Sequence, residues 1–275
     1  MLTALRTRQL QLEPWQRTLA VMFIAQVCTA IGFSIIFPFL PLYVEDLGTN
    51  TGLSIEFWAG MVFSAQAFTM MIASPIWGSL ADRYGRKLMV ERAAFGGTIV
   101  IFLMAFVTSA EQLVFIRMIQ GMITGTVSAA NALVAASAPR NKMGFAMATI
   151  QMALWTGVAL GPLIGGVLSD AFGYRIPFVI TAGLLFVAGL MVHFLVHEEF
   201  EPQAKQQEEK RGFIGDIRHI MAMNGVPQAY GIRFLTGLSR SMIIPIMPLF
   251  VAYLLAGGAL RIPNPRPNAL DQFMD

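Results

Sequence analysis

The sequence predicts an all-α membrane protein. Three observations carry that expectation: an apolar composition, apolar runs of membrane-crossing length, and basic residues sorted between alternate loops. Of 275 residues, 56% are hydrophobic and only 13% charged, against roughly 25% charged in soluble domains. Mean hydropathy is +0.62, as expected when long apolar segments are separated by short polar hinges. The single cysteine, Cys28, has no partner for a disulfide or a cysteine metal site, so no metal and no cofactor is expected. The net charge of +3 is small and its basic residues are spread over loops, so nucleic acid is not an expected partner.

A helix needs roughly 20 residues to cross a hydrocarbon core of about 30 Å. Apolar runs of that order lie near 18–44, 57–80, 90–109, 112–136, 143–169, 173–196 and 227–256. The first follows a polar N-terminus, 1–17. It is too long for a secretory signal and lacks a small-residue cleavage site, so it reads as a retained helix. Short cytoplasmic loops hold the excess of lysine and arginine. Arg6, Arg8 and Arg17 precede the first run; Arg83, Arg86, Lys87 and Arg92 join the second to the third; Arg140 and Lys142 join the fourth to the fifth. The alternate loops hold Glu45, Asp46, Glu56, Glu111 and Asp170 against Arg175 alone. These loops predict a multi-pass protein of the cell membrane with a cytoplasmic N-terminus.

The longest polar interruption, 197–226, carries Lys205, Lys210, Arg211 and Arg218 and reads as a cytoplasmic linker between domains. Within it Phe213, Ile217, Ile220 and Met221 recur at helical spacing, which predicts a short amphipathic helix on the membrane surface. An internal repeat then divides the chain. Pro38-Phe39-Leu40-Pro41-Leu42-Tyr43-Val44 in the first run returns, 207 residues later, as Pro245-Ile246-Met247-Pro248-Leu249-Phe250-Val251 in the seventh. Parallel six-helix repeats build one large transporter architecture. The seventh run, 227–256, therefore reads as the start of a second half. Residues 257–275 read as a tail of a truncated or frameshifted chain.

The segment Gly78-Ser79-Leu80-Ala81-Asp82-Arg83-Tyr84-Gly85-Arg86-Lys87 joins the second and third runs. Its Asp82 falls at a helix C-terminus, where the macrodipole disfavours an anion and a compensating partner is expected; Arg86 and Lys87 lie close by. In the fifth run Gly157, Gly161 and Gly165 share one face, followed by Gly166, and let another helix approach closely. Pro162 removes a backbone hydrogen bond there and favours a kink. The first run holds Gly32, Pro38 and Pro41, the fourth Arg117-Met118-Ile119-Gln120-Gly121, and the entry to the sixth Phe172-Gly173-Tyr174-Arg175.

Taken together, these stretches resemble the major facilitator superfamily over residues 18 to about 253, and within it the drug:proton antiporter branch. The resemblance implies that superfamily's fold: a six-helix N-terminal bundle over 18–196 plus the first helix of a second half. It makes 78–87 the signature gating loop, with Asp82 capping a helix of the second half and locking one side shut. It makes Arg117, Gln120 and Gly121 the intramembrane charge motif, and 157–166 the antiporter motif, whose glycines would pack on a helix outside the bundle. It implies efflux of amphipathic compounds in exchange for protons.

An arginine inside a membrane helix is costly unless it faces a cavity or a partner, so Arg117 is a functional candidate or half of a structural pair. Gln26, Gln66, Asn131, Gln151 and Trp155 are candidates for lining a cavity, though glutamines also glue helices together. Arg233 and Arg240, seven residues apart on one face of the seventh run, attract an anionic substrate or, for Arg233, snorkel to the surface. No acid is expected well inside the first six spans, which leaves Asp82, His193 or the second half as proton carrier. The expected partners are a small-molecule substrate, protons and the lipid bilayer, with self-association of two bundles as a further candidate. An uptake symporter for a sugar or organic anion and a non-transporting membrane fragment are the rival readings. No nucleophile–base pair, metal cluster or phosphate loop supports an enzyme.

Overall fold

The computed structural model describes residues 13–198, 223 and 225–243. These fall into two units, one holding helices α1 to α8 and the other holding α9. All regular elements among the described residues are helical: α1 Pro14–Ile36, α2 Leu40–Leu47, α3 Ile55–Tyr84, α4 Arg86–Met104, α5 Ala110–Ile123, α6 Thr126–Ser137, α7 Met143–Phe172, α8 Arg175–Leu195 and α9 Val226–Ile243. Five stretches are long and apolar enough to cross a membrane: Pro14–Ile36, Ile55–Tyr84, Ala110–Ser137, Arg140–Phe172 and Arg175–Leu195. Helix α4 falls outside that set because Arg86, Lys87, Glu91 and Arg92 occupy its first two turns.

Helix ends follow local chemistry. Glu13 and Gln16 form a reciprocal capping box at the start of α1, satisfying orphan N–H groups. The hydroxyls of Ser54 and Ser109 accept the backbone N–H of Phe57 and Gln112, three residues on. Gly85, between α3 and α4, has φ +97°, a conformation glycine adopts without penalty and a bulkier residue does not.

Two expected spans are broken. The first run is not one helix over 18–44: Pro38 lacks the N–H that would continue the ladder, and the chain turns at 37–39 before restarting as α2 with Pro41 in its first turn. The fourth, expected over 112–136, stops at Thr124 and restarts after Gly125, whose φ is +153°.

The interior has two apolar clusters. One joins Ile35, Phe39, Leu40 and Tyr43 to Val62, Ile101, Met104, Leu113, Phe178 and Leu185. The other joins Met22, Ala25, Val90, Leu133, Ile150 and Val192 nearer the Gly85 end. Helix α1 packs on α6, α7 and α8, and α3 on α5. The expected N-terminus with Arg6 and Arg8, the amphipathic helix through Phe213 and Met221, nearly all of the 197–226 linker, the repeat at Pro245 to Val251 and the tail 257–275 lie outside the described residues.

Candidate functional site

At the Gly85 end the signature loop is built differently from the sequence expectation. Asp82 is exposed on the last turn of α3, and its side chain makes no ion pair or hydrogen bond among the described residues. Neither Arg86 nor Lys87 makes an ion pair with it among the described residues; the Lys87 ammonium lies beside Glu91 instead. The first N–H groups of a helix lack intrahelical partners, and Gly85 offers no capping side chain. Glu198, just past α8, fills that role. Its carboxylate accepts the backbone N–H of Arg86 at 3.0 Å and of Lys87 at 2.7 Å, an anion placed at the positive end of the α4 dipole. The Lys87 ammonium donates to the carbonyl of His193 at 2.8 Å and lies 3.6 Å from the Glu91 carboxylate. His193 Nδ1 stands 3.3 Å from the same Glu91 oxygen. Arg83 sits over the ring of Tyr84. Gly78 is exposed, and a Cβ there would meet nothing within 4 Å.

Glu91 is a partly buried acid that the sequence did not single out. It sits in the second turn of α4, at the polar end of that helix, with its side chain only 14% exposed.

One turn beyond lies a brace the sequence did not indicate. The Trp77 indole N–H donates to the carbonyl of Met122 at 2.6 Å, one of the carbonyls released where α5 stops. The Arg92 guanidinium stacks 3.4 Å from the centre of the Trp77 ring, tying α3, α4 and the broken fourth span together.

Arg117 is 4% exposed. Its Nη1 donates to Gln66 Oε1 at 2.8 Å and to Gln120 Oε1 at 2.9 Å, so its partners are side-chain amides from α3 and α5. Its Nε and the Gln120 amide nitrogen are buried without a hydrogen-bond partner among the described residues. Gly121 is required there: a Cβ would collide with Thr69 Oγ1 and the Gln66 carbonyl, preventing the close approach of α3 to α5.

The glycine face of α7 finds its partner inside the bundle. A Cβ at Gly157 would lie 2.7 Å from Ile31 N, one at Gly161 2.8 Å from the Ser34 carbonyl carbon, and one at Gly165 3.0 Å from Ile35 C. All three contacts are with α1, so the expectation of a helix from outside the bundle is corrected. Gly166 is exposed with open space around its missing Cβ, and Pro162, inside α7, is exposed. On the other side of α1, Gly32 admits Thr181 and Leu185 of α8 at 3.1 Å from where its Cβ would be.

The candidate cavity residues divide. Gln26 is 3% exposed and faces a small interior cavity of about 10 Å³ between α1, α4, α6 and α8, with Met22, Thr29, Val90 and Ala188. Gln66 is committed to Arg117. Asn131 is half-buried with its Oδ1 unpartnered among the described residues. Gln151 and Trp155 are exposed on α7, and Arg233 is exposed on α9. The Arg240 side chain lies outside the described residues.

With this geometry in place, comparison with known proteins is decisive. The profile of the Major Facilitator Superfamily matches residues 22–254. The chain belongs to the major facilitator superfamily. The multidrug resistance protein MdtG of Salmonella arizonae is 38% identical over 252 residues, covering 90% of this chain and 61% of its own length. The MdtG of Rahnella sp. is 40% identical over 241 residues, covering 86% and 57%. The chain thus spans about three fifths of the length of the curated relatives it matches. Two solved superfamily folds are similar. The human organic anion transporter MFSD10 gives a TM-score of 0.60 at 18% identity, covering 70% of this chain and 50% of its own. The POT family transporter PepTSo gives 0.63 at 16%, covering 86% and 52%. At such identities the likeness is one of fold.

Proposed function

We propose that this chain is the N-terminal part of a proton-coupled exporter of small amphipathic compounds that works by alternating access, with residues 18–196 as its first bundle and a cytoplasmic N-terminus in the cell membrane. The observation that carries the reading is α7. Gly157, Gly161, Pro162 and Gly165 stand together on one long helix, the pattern of the antiporter branch, in a chain related to proteins named for multidrug resistance. The process is transport, with no chemical step on the substrate. Asp82, exposed and unpartnered among the described residues at the end of α3, is the gating residue of this reading, and Arg117 the buried charge. For the proton, His193 gains weight from the adjacent Glu91 carboxylate, beside Asp82 and the second half.

The test is efflux of a fluorescent amphipathic cation from cells carrying this chain joined to a complete second half. Export is expected, is abolished by a protonophore, and is lost in Asp82→Asn with membrane insertion intact. Undiminished efflux by Asp82→Asn would remove the gating role, and efflux insensitive to the protonophore would remove proton coupling. The 275 residues alone are expected to insert without transporting, since alternating access needs two bundles around one site. Gradient-driven dye movement by that chain, with a crosslinked dimer, would show that self-association supplies the second wall.

A further inference from the structure

We propose that Ser34 of α1 supplies the hydrogen-bond donor that Pro162 removes from α7, so that the two helices share one composite joint. In an unbroken α-helix the carbonyl of Val158 would accept the N–H of residue 162, and proline has none. An unmet carbonyl is costly in a membrane interior, where no water is at hand. The Ser34 hydroxyl donates to that carbonyl at 3.0 Å, from a residue only 7% exposed.

Two further observations bear on Ser34. Hydroxyls inside helices ordinarily bond back to their own helix, as Thr98, Ser137, Thr149 and Thr156 do here, each to the carbonyl four residues earlier. Ser34 instead reaches across to α7. Its reach depends on Gly161, where a Cβ would lie 2.8 Å from the hydroxyl oxygen itself. Glycine and proline at 161 and 162 therefore act together with Ser34: one admits the hydroxyl, the other creates its acceptor. Bending α7 at Pro162 away from α1 must break this bond, which makes Ser34 a positioning residue that holds the bend closed. Thr181 ties the opposite side of α1 to α8 by donating to the Gly32 carbonyl at 2.9 Å, so α1 is held while α7 flexes.

The test is a double-mutant cycle on the full chain in lipid–detergent micelles, read by alkylation of Cys28. That residue is the chain's single cysteine and is partly buried on α1, packed against the cluster that includes Ala146 and Ile150 of α7, so when reclosing is fast its alkylation rate tracks the population in which α7 has moved off α1. Ser34→Ala is expected to accelerate alkylation about threefold to twentyfold, the range of hydrogen bonds between membrane helices. In the Pro162→Ala chain, the backbone N–H of the substituted residue restores the donor within α7. There Ser34→Ala is expected to change the rate by less than about twofold, the limit of independent sites. Equal acceleration in both backgrounds, or none in the chain that keeps Pro162, overturns the proposal. Should Ser34→Ala alone fail to insert, the double variant decides: it is expected to insert and label like Pro162→Ala, and its failure also overturns the proposal.

Discussion

Gly165 and Gly166 are neighbours in α7 with opposite surroundings, and substituting each by alanine isolates the steric demand of the α1–α7 contact. A Cβ at Gly165 would lie 3.0 Å from both Ile35 C and Ile35 Cα and would collide with the Ile35 carbonyl oxygen. Carbon atoms settle at about 3.5–4.0 Å, so the helices must separate by some tenths of an ångström at the least, against backbone that cannot rotate away. A Cβ at Gly166 meets nothing within 4 Å. Both substitutions gain the same helix propensity, about 1 kcal/mol, which cancels between them. The difference that remains is the overpacking cost, about 1–3 kcal/mol. Reversible unfolding in mixed micelles measures it: Gly166→Ala is expected to match or exceed the parent in stability, and Gly165→Ala to fall below it by that amount. Equal stabilities, or the reverse order, would refute the assignment of α1 as the partner of the glycine face.

Three other outcomes follow from the site. Arg117→Ala leaves the Gln66 and Gln120 oxygens without their donor and should lower stability by about 1–3 kcal/mol while abolishing efflux in a completed chain; Arg117→Lys should be impaired, because an ammonium lacks the planar fork. Wild-type efflux by the alanine variant would reduce Arg117 to packing. Glu198→Ala removes the anionic cap of α4 and should cost about 1 kcal/mol, seen as faster amide exchange at Arg86 and Lys87; unchanged exchange would show the cap to be idle. Trp77→Phe keeps a ring under Arg92 but loses the donor to Met122, and should cost about 0.6–1.7 kcal/mol; no loss would mean that the broken fourth span does not depend on that bond.

The sequence made the long apolar helices legible because apolar runs of membrane-crossing length follow from a single physical demand of the bilayer. It also marked the break at 37–39, since Pro38 and Pro41 announce it chemically, yet the run was read as continuous because its hydropathy never drops. The break at Thr124–Gly125 was hidden for the same reason, with no proline to flag it. Periodic glycines told which face of α7 is smooth but not which helix lies against it; that depends on tertiary packing, and the answer was α1. Glu198 reaches α4 from 112 residues away, and Ser34 reaches α7 from 124 away, distances over which no local pattern speaks. The identities of Asp82 and Arg117 were legible as costly placements, whereas the amide partners of Arg117 were visible only once α3 and α5 were side by side.

The most direct measurement of the central claim is the direction of proton movement evoked by substrate. Vesicles holding the chain with a complete second half, a trapped pH-sensitive dye and an outward gradient of an amphipathic cation would be prepared without any imposed pH difference. An exchanger moves protons in as the cation leaves, so the interior should acidify, and Asp82→Asn should abolish the change. Alkalinisation of the interior would identify a symporter, and a flat trace with substrate leaving would contradict proton coupling altogether.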